Sequence, residues 1–344
     1  MHTFDSISNY SEMKRDHEIV EEMRNYRLCL FIGAGASIDY GMPSWDNFAY
    51  KYLEMIVKEL EEVKIINFKT KEQIKKMPTI DILSMCEHLV KKHRLTVARN
   101  EFLKDTFKTK KKFPFVVPGS EKSYDYINEI SAVFITTNYD NILDTYINNP
   151  RQTVDDVTDG STIEEYNRDK RVFSLNDIIN DDYFESTLRP GSLVHIHGSI
   201  ELDDESFSKF VISREDYIER YHDDNDVSSS YRNFLQEIFE KYTVVFVGYG
   251  LKEIEILKYM FKASGRGSKK RYLFHGCSGA DCDFMNLYED YLMKQYNIEI
   301  LPYDLTVSGY QALIPLLEEL AGISKEVISE EGNKDLDMIL NEDW

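Results

Sequence analysis

The side chain of Asn138 has a type and a position that suit chemistry on a polar ligand. It belongs to the segment Thr-Thr-Asn-Tyr-Asp at 136–140, which follows the apolar run 132–135. Because a carboxamide both donates and accepts hydrogen bonds, it can hold a sugar hydroxyl group or a water molecule in place. A helix cap formed by Asn138 and Asp140 explains the same segment equally well.

His197 is the second candidate, since it ends an apolar run that begins at Leu193 and it precedes Gly198. An imidazole titrates near neutral pH and can act as a general base. The alternation of side chains along a strand predicts that His195 and His197 share one face. A histidine satisfied inside the core is the alternative for both, and it is favoured for His195.

Two glycine turns follow apolar runs. Gly-Ala-Gly at 33–35 follows 27–32, and Gly-Tyr-Gly at 248–250 follows 243–247. Glycine lets the backbone approach a pyrophosphate closely, and nearby amides can donate to it. The full dinucleotide fingerprint, however, needs a third glycine where Ile38 stands, so simple tight turns remain an alternative.

The elements that would position these residues are short apolar strands separated by helices. Such strands are typical of a parallel sheet covered on both faces, so we expect a doubly wound, mostly parallel, Rossmann-like α/β fold. In such a sheet, ligands bind outside the carboxyl ends of the strands. The expected parts are an N-terminal helix (1–26), a main domain (27–322) with helical insertions at about 50–125 and 200–240 that form a smaller second subdomain, and an acidic C-terminal tail (323–344).

The spacing of apolar residues also predicts the individual elements. Strands are expected at 27–32, 132–135, 193–197, 210–213, 243–247, 271–274 and 297–301. Helices are expected at 10–26, 45–61, 141–147, 214–221, 228–241, 252–263, 283–295 and 309–321, and one or two helices are expected over 79–107.

The chain of 344 residues carries a net charge of −20, with 42% hydrophobic and 30% charged residues. This composition predicts a globular protein with a sizeable core. The chain has no apolar run of about 18 residues and no secretory signal, so we expect no membrane association and a cytoplasmic location. A phosphate backbone repels an acidic chain, which disfavours direct binding of nucleic acid. The basic runs at 108–112 and 269–271 are interpreted as solvated loops.

Candidate metal ligands are sparse. Of the four cysteines, only Cys277 and Cys282 are close together, and His275 would be a third ligand without a fourth. A zinc site requires two such pairs or added histidines, so we expect free thiols and no bound metal. The acidic cluster at 203–205 is interpreted as a solvated loop rather than the metal site of a nuclease.

Taken together, four segments resemble those of the sirtuin superfamily and occur in that family's order. The resemblance spans roughly residues 27–301. The segments are GAGASIDYGMPSW at 33–45, TTNYD at 136–140, HIHGS at 195–199 and VGYG at 247–250.

The departures from the protein deacylases of this superfamily are specific. The deacylases carry Asp-Phe-Arg after Gly-x-Pro, where this chain has Ser-Trp-Asp at 44–46. They carry glutamine where Thr137 stands, and a four-cysteine zinc module where residues 198–243 contain no cysteine. The chain is more similar to the sirtuin-like NAD hydrolases of bacterial antiphage defence.

This resemblance implies a role for each matching residue in a site that binds NAD. Asn138 and His197 would be catalytic, with Asn138 placing the attacking water. The other positions would bind NAD: Gly33, Ala34, Gly35 and Ser37 at the diphosphate, Asp140 and Thr137 near the nicotinamide ribose, Gly248 and Tyr249 at the adenosine, and Ser44 and Trp45 at the nicotinamide.

The implied function is hydrolysis of NAD to nicotinamide and ADP-ribose, with NAD as substrate and without a metal, by the effector of an antiphage, abortive-infection system. The resemblance also implies a homo-oligomer and a separate protein partner that regulates it, because relatives of this size are often paired with a HerA-type ATPase or a short Argonaute. An NAD-dependent protein deacylase and a non-catalytic subunit that binds NAD or ADP-ribose remain the alternatives.

Overall fold

A computed structural model of the chain describes residues 17–60, 68–108, 121–148, 171–174, 177, 188–200, 210–221, 226–262, 268–278 and 282–342. Its centre is a seven-stranded sheet in which every pair of neighbouring strands is parallel. The spatial order is β3-β4-β2-β1-β5-β6-β7. The strands are β1 (Leu28–Ile32), β2 (Val133–Thr136), β3 (Val172–Ser174), β4 (Leu193–His195), β5 (Thr243–Val247), β6 (Arg271–Cys277) and β7 (Ile298–Asp304).

Helices connect and cover these strands. They are α1 (His17–Arg24), α2 (Trp45–Glu59), α3 (Phe68–Ile74), α4 (Thr79–His93), α5 (Thr96–Phe107), α6 (Ser123–Ile127), α7 (Ile142–Asn148), α8 (Arg214–Tyr221), α9 (Asp226–Lys241), α10 (Ile254–Lys262), α11 (Cys282–Tyr296), α12 (Leu305–Ser308) and α13 (Ile314–Glu342). Ala34–Tyr40 and Gly309–Leu313 form 3₁₀ helices.

The central strands are apolar throughout because both faces of the sheet are covered. Every residue of β1 and of β5 is buried. Phe31 and Phe246 belong to a cluster shared with α8, α9 and α10 on one face, whereas Leu30 and Val245 belong to a cluster shared with α7 and α13 on the other. The expected doubly wound, Rossmann-like α/β fold is therefore confirmed.

The strand order reverses between β1 and β5. From β1 the chain passes to β2 on one side and later returns to β5 on the other. At such a switch point the connections leave in opposite directions, and a crevice opens at the carboxyl ends of the two strands. The glycine turns at 33–35 and 248–250 lie at these two ends.

The helical insertion forms a cluster of its own beside the sheet. Helices α2, α4 and α5 enclose Phe48, Tyr52 and Leu83, together with Tyr139 from the loop after β2. Within it the buried Glu87 carboxylate accepts hydrogen bonds from the hydroxyl of Tyr52 and from the Nε of Arg99, at 2.7 Å each. The insertion thus packs directly against the residue that follows Asn138.

Apart from β4, which ends at His195 rather than at residue 197, and from Arg271, which is buried in β6 rather than solvated in a loop, three sequence predictions differ from the structure. Residues 210–213 are not a strand, because Phe210 and Ile212 pack into the helical insertion rather than into the sheet. Strands β6 and β7 each continue three residues beyond their expected ends.

The third difference is at the C-terminus, where a helix was expected at 309–321 and an acidic tail from 323. The structure instead has one helix, α13, that begins at Ile314 and continues to Glu342. Buried apolar residues beyond the expected end, Ile323 and Val327, explain its length because they join the core cluster that contains Ile19 of α1. The division of the chain into parts otherwise stays a prediction.

Among the described residues, no helix has the length and apolar character needed to cross a membrane. The acidic cluster at 203–205 and most of the basic run at 108–112 lie outside the described residues, as do residues 10–16 of the expected N-terminal helix.

Candidate active site

The four segments singled out in the sequence meet at one edge of the sheet, because β4, β2, β1 and β5 are neighbours. Backbone hydrogen bonds continue just past the strands. The amide of Ile196 donates to the carbonyl of Thr136 at 3.0 Å, and the amide of Gly33 donates to the carbonyl of Val247 at 2.9 Å. The loops that carry Asn138, His197 and the two glycine turns are thereby fixed side by side.

The amide group of Asn138 is held from one side only. Its Nδ2 lies 3.1 Å from the carbonyl oxygen of Gly33, 3.1 Å from Ser37 Oγ and 3.3 Å from Tyr124 Oη. A carbonyl oxygen can only accept, so the atom facing Gly33 must be the nitrogen. The side-chain oxygen, Oδ1, has no hydrogen-bond partner among the described residues. The amide therefore presents a fixed, uncommitted acceptor.

A buried network behind Asn138 sets this orientation. Ser37 Oγ donates to Asp140 Oδ2 at 2.9 Å and lies 2.6 Å from Tyr124 Oη. Asp140 Oδ1 accepts the amide of Ile142 at the start of α7, so the cap interpretation of Asp140 is confirmed. Burial raises the pKa of Asp140 to about 6. The structure thus places Ser37 inside the protein, where its hydroxyl supports Asn138, and not on an open surface.

The glycine turns pack on each other. Gly248 has a φ of +61°, and a Cβ there would lie 2.3 Å from the amide nitrogen of Ala36. The amide of Gly35 donates to the carbonyl of Gly248 at 2.9 Å. This amide is therefore not available to a phosphate, whereas Ala34, which is partly exposed, has no such backbone bond. The two turns need glycine for their mutual contact before any ligand is considered.

His195 is a satisfied core residue, as its alternative interpretation held. Its Nδ1 lies 3.0 Å from the carbonyl oxygen of Asn138 and its Nε2 lies 3.0 Å from Asp144 Oδ2. Burial opposes the charged form, but the carboxylate of Asp144 overrides it and the pKa of His195 is raised. His195 therefore fixes the backbone of Asn138.

His197 does not share a face with His195, which contradicts the prediction from strand alternation. β4 ends at His195, and His197 packs on the other face of the sheet, against the rings of Tyr217 and Tyr221 of α8. Its Nε2 lies 3.0 Å from Tyr221 Oη. Burial lowers the pKa of His197 to about 3, so the imidazole is neutral at physiological pH. The neutral imidazole can accept a hydrogen bond, but it is a weak base and rarely takes up a second proton.

Glu253, which the sequence did not single out, lies beside His197. Its Oε2 is 3.5 Å from His197 Nε2. Burial is the first cause that raises the pKa of Glu253 to about 8, and repulsion from Glu255 adds to it. The only signal in the sequence is that Glu253 follows the Gly248 turn closely. Its neighbours on α8 come from a distant part of the chain, and periodicity does not report such contacts.

The remaining candidates lie around this core. Trp45 is partly buried and contacts the ring of Tyr139, with centroids 6.1 Å apart. Ser44 caps α2 by accepting the amide of Asn47, and Thr137 is partly exposed. Tyr249 is buried, and its ring packs against Phe31 in the core. The expected place of Gly248 and Tyr249 at the adenosine side of the site stays a prediction.

The described residues contain no group of three or more His, Cys, Asp or Glu side chains arranged to hold a metal ion. Cys29, Cys86 and Cys277 are buried and form no disulfide among the described residues.

Residues 132–301 match the family described as the SIR2-like domain. The matched span runs from the start of β2 to β7 and includes Asn138, His197 and the 248–250 turn, whereas the 33–35 turn precedes it. The match supports a place in the sirtuin-like superfamily and implies an enzyme that binds and uses NAD. A comparison with curated proteins found no match.

Proposed function

We propose that this chain hydrolyses NAD to nicotinamide and ADP-ribose, with Asn138 and His197 at the bond that breaks. The observation that carries the proposal is the amide of Asn138, whose nitrogen is fixed by Gly33, Ser37 and Tyr124 while its oxygen has no partner among the described residues. An acceptor held in this way can orient a water molecule toward a sugar carbon.

The chemistry requires little beyond orientation and electrostatics. Loss of nicotinamide leaves positive charge on the ribose, and water attacks the same carbon and releases a proton. The oxygen of Asn138 would align that water, and its dipole would favour the developing positive charge. His197, neutral at physiological pH, would accept a hydrogen bond from a ribose hydroxyl group. The arrangement therefore supports a role for His197 in positioning the ribose more strongly than a role as a general base.

The site repels an anionic substrate less strongly than the number of its carboxyl groups suggests. Burial raises the pKa of Glu253 to about 8 and that of Asp140 to about 6. At neutral pH Glu253 is mainly protonated, which lowers the repulsion of a diphosphate, whereas Asp140 remains mainly ionised. We place the diphosphate at the 33–35 turn, where Ala34 is partly exposed. We place the nicotinamide near Trp45 and Ser44.

The roles of three residues are revised within the proposal. Ser37 supports Asn138 through its buried hydroxyl and does not touch the diphosphate. Gly248 and Tyr249 shape the crevice by packing on the 33–35 turn and on Phe31. Thr137 and Asp140 remain assigned to the nicotinamide ribose side.

The experiment is release of nicotinamide from NAD by the purified chain, alone and with its partner. We expect Asn138→Ala and His197→Ala each to reduce release by about 10²–10⁴-fold. Asn25→Ala is the matched control, because Asn25 is exposed and precedes β1 at the opposite edge of the sheet. Full activity in both site variants would contradict the assignment.

The same assay separates the alternatives. Turnover that requires an acyl-lysine peptide would indicate a deacylase. Binding of NAD without nicotinamide release, under every condition in which the partner is present, would indicate a non-catalytic subunit.

We extend the proposal to the biological role implied by the resemblance: an effector of antiphage defence that acts in the cytoplasm, as a homo-oligomer, under control of a HerA-type ATPase or a short Argonaute. Cellular NAD should then fall during phage infection in cells with the wild-type chain and stay level in cells with Asn138→Ala. Co-purification would identify the partner.

A further inference from the structure

A cluster of polar side chains lies behind the imidazole of His197. His197 is only 2% exposed, and its Nε2 faces Tyr221 Oη at 3.0 Å and Glu253 Oε2 at 3.5 Å. Its Nδ1 has no partner among the described residues. One nitrogen is therefore directed into the protein, and the other is left for a ligand.

Two buried atoms of this cluster, Glu253 Oε2 and Tyr249 Oη, have no hydrogen bond of normal geometry in the described part of the chain, although the hydroxyl of Tyr249 lies close enough to the carboxyl group to lower its pKa. Buried polar atoms are nearly always paired in folded proteins, so an unpaired carboxyl oxygen beside a candidate catalytic histidine calls for a functional explanation. The Glu253 side chain is 21% exposed, which places it at the boundary between the core and the open side. Hydrogen bonds in such sites often tighten only when substrate is bound.

The charges around Glu253 favour its protonated form. No cation is among the groups that shift its pKa; Glu255 raises it, and the hydroxyls of Tyr217 and Tyr249 lower it. Arg220 acts instead on His197, whose pKa it lowers after burial. The titratable or charged groups around the carboxyl are His197, Tyr139, Tyr217, Tyr221, Tyr249, Arg220 and Glu255.

The geometry points to Glu253 as a positioning residue that acts through His197, holding Nε2 together with Tyr221 so that Nδ1 faces the substrate. This inference rests on the proposed hydrolysis of NAD. In its protonated form the carboxyl group is an uncharged hydrogen-bonding partner for the imidazole. In its ionised form it is an anion that would draw a proton onto His197. The site is therefore expected to work with Glu253 protonated.

The test compares Glu253→Gln with Glu253→Ala in the full chain. Glutamine matches the shape of the protonated acid but cannot ionise. We expect Glu253→Gln to keep kcat within about threefold of the wild type at pH 7, and Glu253→Ala to lose about 10- to 100-fold in kcat with little change in KM. Glu240→Gln, an exposed substitution on α9, is the control.

The pH profile distinguishes positioning from a purely structural role. The wild type should lose activity above about pH 8, where Glu253 ionises. Glu253→Gln should remove this alkaline limb, and a structural role would leave it unchanged. An unchanged limb in Glu253→Gln, or wild-type kcat in Glu253→Ala, would overturn the inference.

A second readout does not need turnover. The NMR signals of the His197 imidazole nitrogens report its tautomer in the folded chain. We expect Glu253→Ala to shift the tautomer populations and Glu253→Gln to preserve them at pH 7. If no variant or partner yields nicotinamide release, the proposed function fails, yet the NMR comparison still decides whether Glu253 holds His197.

Discussion

The Nδ2 atom of Asn138 lies 3.1 Å from the carbonyl oxygen of Gly33, so the turn after β1 fixes the side chain that follows β2. The two strands are neighbours in the sheet, and their register pairs Ile32 with Thr136. Since a backbone carbonyl cannot rotate away as a side chain can, the amide is oriented by the sheet itself. A rigid support of this kind is what positioning a water molecule requires.

Ser37→Ala should weaken this support. The substitution removes the hydroxyl that accepts from Asn138 and donates to Asp140, and it leaves the buried carboxylate with one partner fewer. We expect a loss of about 1–3 kcal/mol in the free energy of unfolding, measured in urea. Nicotinamide release should fall about 10- to 100-fold because the amide is no longer fixed.

Ser84→Ala is the control for Ser37→Ala. Its hydroxyl donates to the carbonyl of Ile80 and accepts the amide of Arg214, and it lies on α4 outside the network around Asn138. A small effect on stability and none on activity is expected. Wild-type activity in Ser37→Ala would show that Gly33 and Tyr124 are sufficient to orient Asn138.

Glycine is required at Gly248 and not at Gly250. A Cβ at Gly248 would meet backbone atoms of the 33–35 turn within 3 Å at a positive φ, so we expect Gly248→Ala to cost at least about 3 kcal/mol of stability. At Gly250 the nearest atom is Lys252 Cγ at 3.7 Å, an ordinary contact, so the change should stay within about 0.5 kcal/mol. Urea unfolding of the two variants measures the difference.

Gly41→Ala separates backbone strain from the steric clash. Gly41 also has a positive φ, +86°, but a Cβ there would meet nothing within 4 Å. We expect Gly41→Ala to lower the free energy of unfolding by about 1 kcal/mol. If Gly248→Ala is no more destabilising than Gly41→Ala, the contact between the two turns is less important than proposed.

The fold could be predicted from the sequence because its strands are continuous apolar runs. β1 and β5 are buried along their whole length, and a turn of glycine marks the end of each. The segment 210–213 has a similar apolar content, but Phe210 and Ile212 pack against the helical insertion and only Val211 joins the cluster on the sheet. Composition cannot distinguish an extended segment that joins a sheet from one that packs against helices.

The site could be predicted only in part. Asn138 and His197 were recognisable because each follows a strand directly, where a parallel sheet gathers its ligand-binding residues. Tyr124 and Glu253 were not, since their roles depend on contacts between distant segments, such as Tyr124 with Ser37 and Glu253 with His197. The alternation rule also failed at His197, because it lies beyond the last residue of β4.

The pair His195–Asp144 should stabilise the protein most at low pH. The pKa of His195 is raised above 6.5 in the folded chain by Asp144, so the charged pair contributes fully below pH 6.5 and is lost as pH rises through the folded-state value. We expect Asp144→Asn to cost about 2 kcal/mol near pH 6 and clearly less near pH 9. Urea unfolding at the two pH values measures this, and a loss that grows with pH would contradict it.

Two ion pairs of the chain should differ in their importance for the helical insertion. Arg99 and Glu87 are both 8% exposed in their side chains, and their Nε–Oε1 distance is 2.7 Å. Removal of one partner leaves the other charge buried and unpaired, so we expect Arg99→Met to lower the free energy of unfolding by about 3–5 kcal/mol. The Arg214–Asp81 pair has a similar distance, 2.6 Å, but its arginine is 57% exposed, so Arg214→Met should cost less than about 1 kcal/mol. Unfolding in urea compares the two, and Glu87→Gln with Arg99→Met should recover part of the loss because no buried charge then remains.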